Sequence, residues 1–71
     1  MEHQPVNSSA MKSIAYEGGV LEIQWNNGKT YRYEASPEAF QGLAAAESKG
    51  KFFAQNRSQF KDIRPSYEGG Y

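Results

Sequence analysis

Residues 20–25 (Val-Leu-Glu-Ile-Gln-Trp) alternate apolar and polar with a period of two, and residues 29–34 (Lys-Thr-Tyr-Arg-Tyr-Glu) resume the alternation after Asn26, Asn27 and Gly28. This pattern constrains the chain most, because only a β-strand places successive side chains on opposite faces. Residues 10–16 suit a further strand, and Gly18 and Gly19 form a tight-turn signal before residue 20. Three strands joined by two short turns define an antiparallel meander.

The length of the second turn decides which way the tyrosines point. A two-residue Asn27-Gly28 loop pairs Ile23 with Arg32 and sends Tyr31 and Tyr33 to the face opposite Leu21 and Ile23. A three-residue loop pairs Trp25 with Lys29, Ile23 with Tyr31 and Leu21 with Tyr33, with Gly28 in the left-handed position. One residue of slip flips every side chain. Only the three-residue version gives one apolar face, made of Ile14, Tyr16, Leu21, Ile23, Trp25, Tyr31 and Tyr33. The other face is then polar, with Glu22, Gln24, Thr30, Arg32 and Glu34.

The apolar face needs a cover, and the following residues read as helix. Ser36 suits the N-cap, Pro37 the first helical position and Glu38 the dipole of the first turn. Phe40, Leu43 and Ala44 share a helical face, and Gly50 is the expected C-cap. A shorter second helix is expected from about Lys51, where Phe52, Asn56, Phe60 and Ile63 follow helical spacing, and Pro65 stops it. The fold class expected is therefore α+β: a three-stranded antiparallel meander against one main helix, followed by a short second helix. Residues 1–8 read as a flexible arm, residues 9–64 as the single domain and residues 65–71 as a flexible tail.

Composition narrows the chemistry. The 71 residues hold eight bases and eight acids, no cysteine and one histidine. No disulfide frame, thiolate nucleophile or cysteine-based zinc site is available. Ser8 and Ser9 have only His3, in the expected arm, as a base, and no phosphate-loop motif is present. The reading is of a non-enzyme, with no catalytic residue, metal or cofactor. No apolar run approaches the ~20 residues of a membrane helix, and no signal-peptide pattern opens the chain, so a cytoplasmic location is expected. Large aliphatics are few and aromatics number ten, so the aromatics must supply much of the core.

Taken together, Val6-Asn7-Ser8-Ser9, Ile14-Ala15-Tyr16, Leu21-Glu22-Ile23, Gly28 to Tyr33, Ser36-Pro37, Ala46 to Gly50 and Lys51-Phe52-Phe53 resemble the KTSC family. The resemblance spans about residues 6 to 61. Modules of this kind occur at the C-terminus of some lysyl-tRNA synthetases and as stand-alone small bacterial and phage proteins. Two positions depart from the family pattern: Ala54 stands where Asn is frequent, and Asn56 where an apolar residue usually precedes the Arg matched by Arg57. The resemblance implies an RNA-binding module, for tRNA or single-stranded RNA, as an analogy of context.

The residues supply candidates for that role. Tyr31 and Tyr33 can stack bases, as sheet aromatics do in RNA-binding folds, or serve as core; the register and the scarcity of core material favour core. Between residues 49 and 64 five bases, Lys49, Lys51, Arg57, Lys61 and Arg64, face one acid, Asp62. Such a stretch can hold phosphates, or it can be a solvated helix face. Arg32, on the polar face, is a weaker candidate. The alternative function is a protein-interaction adaptor or small regulator that docks a partner on a sheet edge or on Phe52. A monomer is expected, with an edge-paired dimer as the alternative.

Overall fold

The computed structural model describes residues 2–63. Their order is β1 (Gln4–Pro5), β2 (Met11–Glu17), β3 (Val20–Trp25), β4 (Thr30–Glu34), α1 (Pro37–Ala45), α2 (Lys49–Gln55), a 3₁₀ turn (Arg57–Gln59) and β5 (Lys61–Asp62). The five strands form one antiparallel sheet in chain order. The α+β class is as expected, but the three-stranded meander is corrected to five strands. Its central three strands are those expected; the added edges are two residues each.

Both central turns have the expected lengths. Tyr16 stands opposite Leu21 and Ile14 opposite Ile23, with Gly18 and Gly19 at φ of 59° and 83°. Ile23 stands opposite Tyr31 and Leu21 opposite Tyr33. Trp25 N–H donates to Lys29 O at 2.8 Å, and Gly28 takes φ of 91°, a conformation costly to any residue with a Cβ. A bulge at Lys12, between the pairs Met11–Trp25 and Ser13–Gln24, turns Met11 onto the apolar face.

The arm reading is corrected at its inner end. Gln4 and Pro5 pair with Ile14 and Ser13, and Val6 packs against the core. Pro5 is tolerated because β1 is an edge strand. The expected tail, residues 65–71, lies outside the described residues.

The helical region is also corrected. Ser36 caps α1 as expected, its Oγ accepting from Ala39 N–H at 3.1 Å, with Pro37 next. The helix then stops at Ala45, where the Ala46 N–H turns back to Leu43 O. Gly50 is not a C-cap but the second residue of α2. The two helices expected are both present, but the main one is shorter at its end and the second starts earlier: α1 has nine residues and α2, from Lys49, has seven. A Cβ on Gly42 would lie 2.6 Å from Phe52 Cζ, so glycine lets α2 pack this close to α1. The helical spacing from Phe52 to Ile63 breaks after Gln55: the Asn56 N–H and its Nδ2 both donate to Phe52 O, and Phe60 is extended.

The core lies between the sheet and these helices. Met11, Ile14, Leu21, Ile23, Tyr33, Ala39, Leu43, Phe53 and Phe60 are buried. Phe53 is its aromatic hub, meeting Trp25 edge-on at 5.4 Å, Tyr33 edge-on at 5.1 Å and Phe60 stacked at 4.9 Å between centroids.

Candidate functional site

The register that buries Tyr33 also carries Tyr31 to the rim of the same face, past the helical cover. Tyr33 is 5 % exposed, whereas Tyr31 is 40 % exposed and is the one large apolar side chain open to solvent among the described residues. The expectation that both are core therefore holds for Tyr33 and is corrected for Tyr31. The two rings line a surface cleft of about 300 Å³ with Trp25, Ala10, Asn26 and Asn27.

The walls of this cleft are fixed by local hydrogen bonds. Ser8 Oγ accepts from the N–H groups of Ala10 and Met11, so this serine caps a turn. Asn26 Nδ2 donates to Ser9 O at 2.8 Å, tying the β3–β4 turn to the start of β2. Asn27 Oδ1 accepts from Lys29 N–H at 2.9 Å and shapes the turn. The Arg57 guanidinium lies 5.3 Å from the Tyr33 centroid and 4.9 Å from that of Phe53. It donates to Asp62 Oδ1 at 2.7 Å and to Phe60 O, which clamps the 3₁₀ turn to β5. Burial pushes the Tyr33 hydroxyl above its usual pKa, with a Trp25 hydrogen bond acting the other way.

The remaining candidates are divided among different surroundings. Arg32 lies on the opposite face of the sheet, its Nε donating to Glu22 Oε2 at 2.7 Å. Lys49 reaches back to Ala46 O at 3.0 Å and closes the α1–α2 connection. Lys51 is exposed on α2. Lys61 stands opposite Glu34 and lines a hollow beside Gly18 and Gly19, at the other end of β4 from Tyr31. Arg64 lies outside the described residues. The structure thus brings Tyr31 and Tyr33 into one cleft, sets Arg57 over the Tyr33 ring without lining that cleft, and places Arg32 and Lys61 elsewhere. At the departing positions, Ala54 is exposed and Asn56 ends α2.

One constellation escaped the sequence reading. His3 Nε2–H donates to Glu22 Oε1 at 2.6 Å, and its Nδ1 lies 2.8 Å from Ser13 Oγ. The connectivity is that of a serine–histidine–carboxylate triad, but the surroundings are not. Ser13 is 8 % exposed within a paired strand, and its hydroxyl donates to Gln24 Oε1 at 3.1 Å. The strand pairs with Pro5 on one side of Ser13 and with Gln24 on the other. The network ties His3, the residue before β1, to β2, β3 and β4 across the polar face. The His3 hydrogen bond is the largest influence on Glu22 and holds its pKa below the ordinary value, with Arg32 acting in the same direction against burial.

Among the described residues no helix is long and apolar enough to cross a membrane, and no group of three or more His, Cys, Asp or Glu side chains could hold a metal ion. The fold and cleft define a small α+β module with an aromatic recess at one end of its sheet. The chain belongs to the KTSC domain family, whose model matches residues 7–66. The crystal structure of a KTSC domain protein from Yersinia pestis is similar, with a TM-score of 0.72, 40% identity, and coverage of 87% of this chain and 96% of that one. An uncharacterized protein of Stutzerimonas stutzeri is 40% identical over 58 residues, which is 78% of this chain and 82% of that protein. A protein of Tsukamurella paurometabola is 44% identical over 52 residues, 69% of this chain and 78% of its own length.

Proposed function

We propose that this KTSC domain is a non-catalytic module that binds single-stranded nucleic acid, RNA first, by stacking a base on Tyr31. The observation that carries the reading is the exposure of Tyr31 at the mouth of a cleft walled by Trp25 and Tyr33. An exposed aromatic ring beside an aromatic wall is a sequence-tolerant platform for a base. The family's occurrence on lysyl-tRNA synthetases makes RNA the first ligand to test. Arg57, stacked over Tyr33 and half-exposed, is the cation that a neighbouring phosphate would meet. Balanced net charge and the separation of the other bases mean few phosphate contacts and so a modest salt dependence. The non-catalytic part of the reading is supported by the commitment of Ser13 to Gln24.

An amide NMR titration with mixed-sequence single-stranded RNA and with tRNA, at ~50 and ~200 mM salt, tests the reading. Shifts should cluster on Trp25, the 26–29 turn, Tyr31 and Arg57. Affinity should fall about sevenfold between the two salts if two phosphates are neutralised. Tyr31→Ala should weaken binding about tenfold or more, and Tyr31→Phe should retain it, since stacking needs the ring alone. Absence of shifts at both salts would remove nucleic acid from consideration, and shifts that ignore Tyr31 would overturn the stacking site.

A further inference from the structure

The turn that sets the register of β4 also carries the chain's one Asn-Gly pair, Asn27-Gly28. Residues 26–30 are all exposed, and Asn26 and Asn27 line the Tyr31 cleft. Gly28 has no Cβ to keep its main-chain nitrogen away from the Asn27 side chain. Asn27 Oδ1 accepts from Lys29 N–H at 2.9 Å, so a donor faces the oxygen that turns anionic when Cγ is attacked. The Gly28 nitrogen is held by its own N–H, which donates to Trp25 O at 2.9 Å. A single turn bond on an exposed loop opens more readily than the ladder between β3 and β4. The other asparagines lack this combination. Asn7, Asn26 and Asn56 precede Ser8, Asn27 and Arg57, each of which has a Cβ. The amide nitrogens of Asn26 and Asn56 are also held, by Ser9 O and Phe52 O.

We propose that Asn27 is a site of spontaneous deamidation, and that its isoaspartyl product undoes the turn that holds the Tyr31 cleft. The Gly28 amide gives its proton to hydroxide, and its nitrogen forms a bond to Asn27 Cγ. The bond from Cγ to Nδ2 breaks, and ammonia leaves with a proton taken from water, which regenerates the hydroxide. A succinimide ring remains, and water opens it. Addition at Cγ leaves an aspartate at position 27; addition at the main-chain carbonyl leaves an isoaspartate. One water is consumed, one ammonia is released and nothing is oxidised or reduced. The aspartate keeps an acceptor for Lys29 N–H and so keeps the turn. The isoaspartate routes the main chain through Cβ and Cγ, one carbon longer, so Lys29 no longer closes on Trp25. Tyr31 follows, because the length of this turn sets the β3–β4 register. The proposal rests on the turn alone and holds whatever the cleft binds.

The full chain, incubated in mildly alkaline buffer and then digested, tests this by mass spectrometry with fragmentation. Asn27 should exchange NH2 for OH at least about tenfold faster than Asn7, Asn26 or Asn56, which takes a barrier difference of only about 1.4 kcal/mol. The rate should climb with pH, because the nucleophile is the deprotonated amide. Gly28→Ala should slow the conversion at least about tenfold, and because alanine is strained at a φ of 91°, Asn27→Asp serves as the second variant. Freshly prepared, that variant should keep the slow solvent exchange of the Trp25 amide. The isoaspartyl form, separated from the aged chain, should exchange that amide at least about tenfold faster and shift the Tyr31 amide. Conversion of Asn27 at the pace of the other asparagines overturns the site. Unchanged Trp25 exchange in the isoaspartyl form overturns its effect on the turn.

Discussion

Glu22 shows how a side chain on the polar face of the sheet comes to matter. Its carboxylate is only 14% exposed and accepts from both His3 and Arg32. Its pKa in the folded chain lies below the unfolded value, so its stabilisation is fully present above about pH 4.5 and fades as pH falls through the lowered value. Glu22→Gln should therefore cost about 1–2 kcal/mol at neutral pH and flatten the acid limb of the stability curve. Denaturant melts at pH 7 and at intervals down to pH 3 would measure both; an unchanged acid limb would mean that the network contributes nothing. Because the His3 hydrogen bond is the largest cause, His3→Ala should raise the Glu22 pKa, readable from its side-chain carboxyl carbon by NMR.

The elements pack through small residues and short connections, and Gly42 is the clearest case. Alanine there gains helix propensity of up to ~1 kcal/mol but places a methyl 2.6 Å from the Phe52 ring edge. Phe52 also packs edge-on to Phe60 at 6.4 Å, which restricts its retreat. Gly42→Ala should thus destabilise by about 1–2 kcal/mol in the parent chain and stabilise in a Phe52→Ala background. Equal effects in both backgrounds would exclude the collision as the cause. The central sheet was legible because Gly28 and the alternation of Leu21, Ile23, Tyr31 and Tyr33 permit only one register with a single apolar face. Ser36 and Pro37 marked the α1 start for equally local reasons. The edges were not legible, since Gln4–Pro5 and Lys61–Asp62 are too short to carry a period. Neither was the α1 stop, since the run Ala44-Ala45-Ala46 favours helix and the chain leaves it only where the extended Ala46 turns its N–H back to Leu43 O. Of the candidate cleft, the shared face of Tyr31 and Tyr33 could be read, but the unequal cover of the two rings could not. His3, Ser13 and Glu22 meet only after folding, across 10 and 19 residues of sequence.

At the scale of the whole molecule, the limiting quantity is core material. On the usual per-residue scale a chain of 71 residues has only about 4–10 kcal/mol of stability. Few large aliphatics are available, so the aromatic cluster around Phe53 must do what leucines do elsewhere. Phe60 is its fully buried member, and it joins α2 to the segment leading into β5. Phe60→Ala should cost about 3–5 kcal/mol, which for a domain of this size lowers Tm by at least about 12 °C. Tyr31→Ala, on the same sheet face but exposed, should change stability by no more than about 0.5 kcal/mol. Thermal melts of the two variants separate structural from ligand-facing aromatics without any ligand. If Tyr31→Ala destabilised the chain as Phe60→Ala does, Tyr31 would be core, and its exposure could no longer be read as a platform held ready for a base.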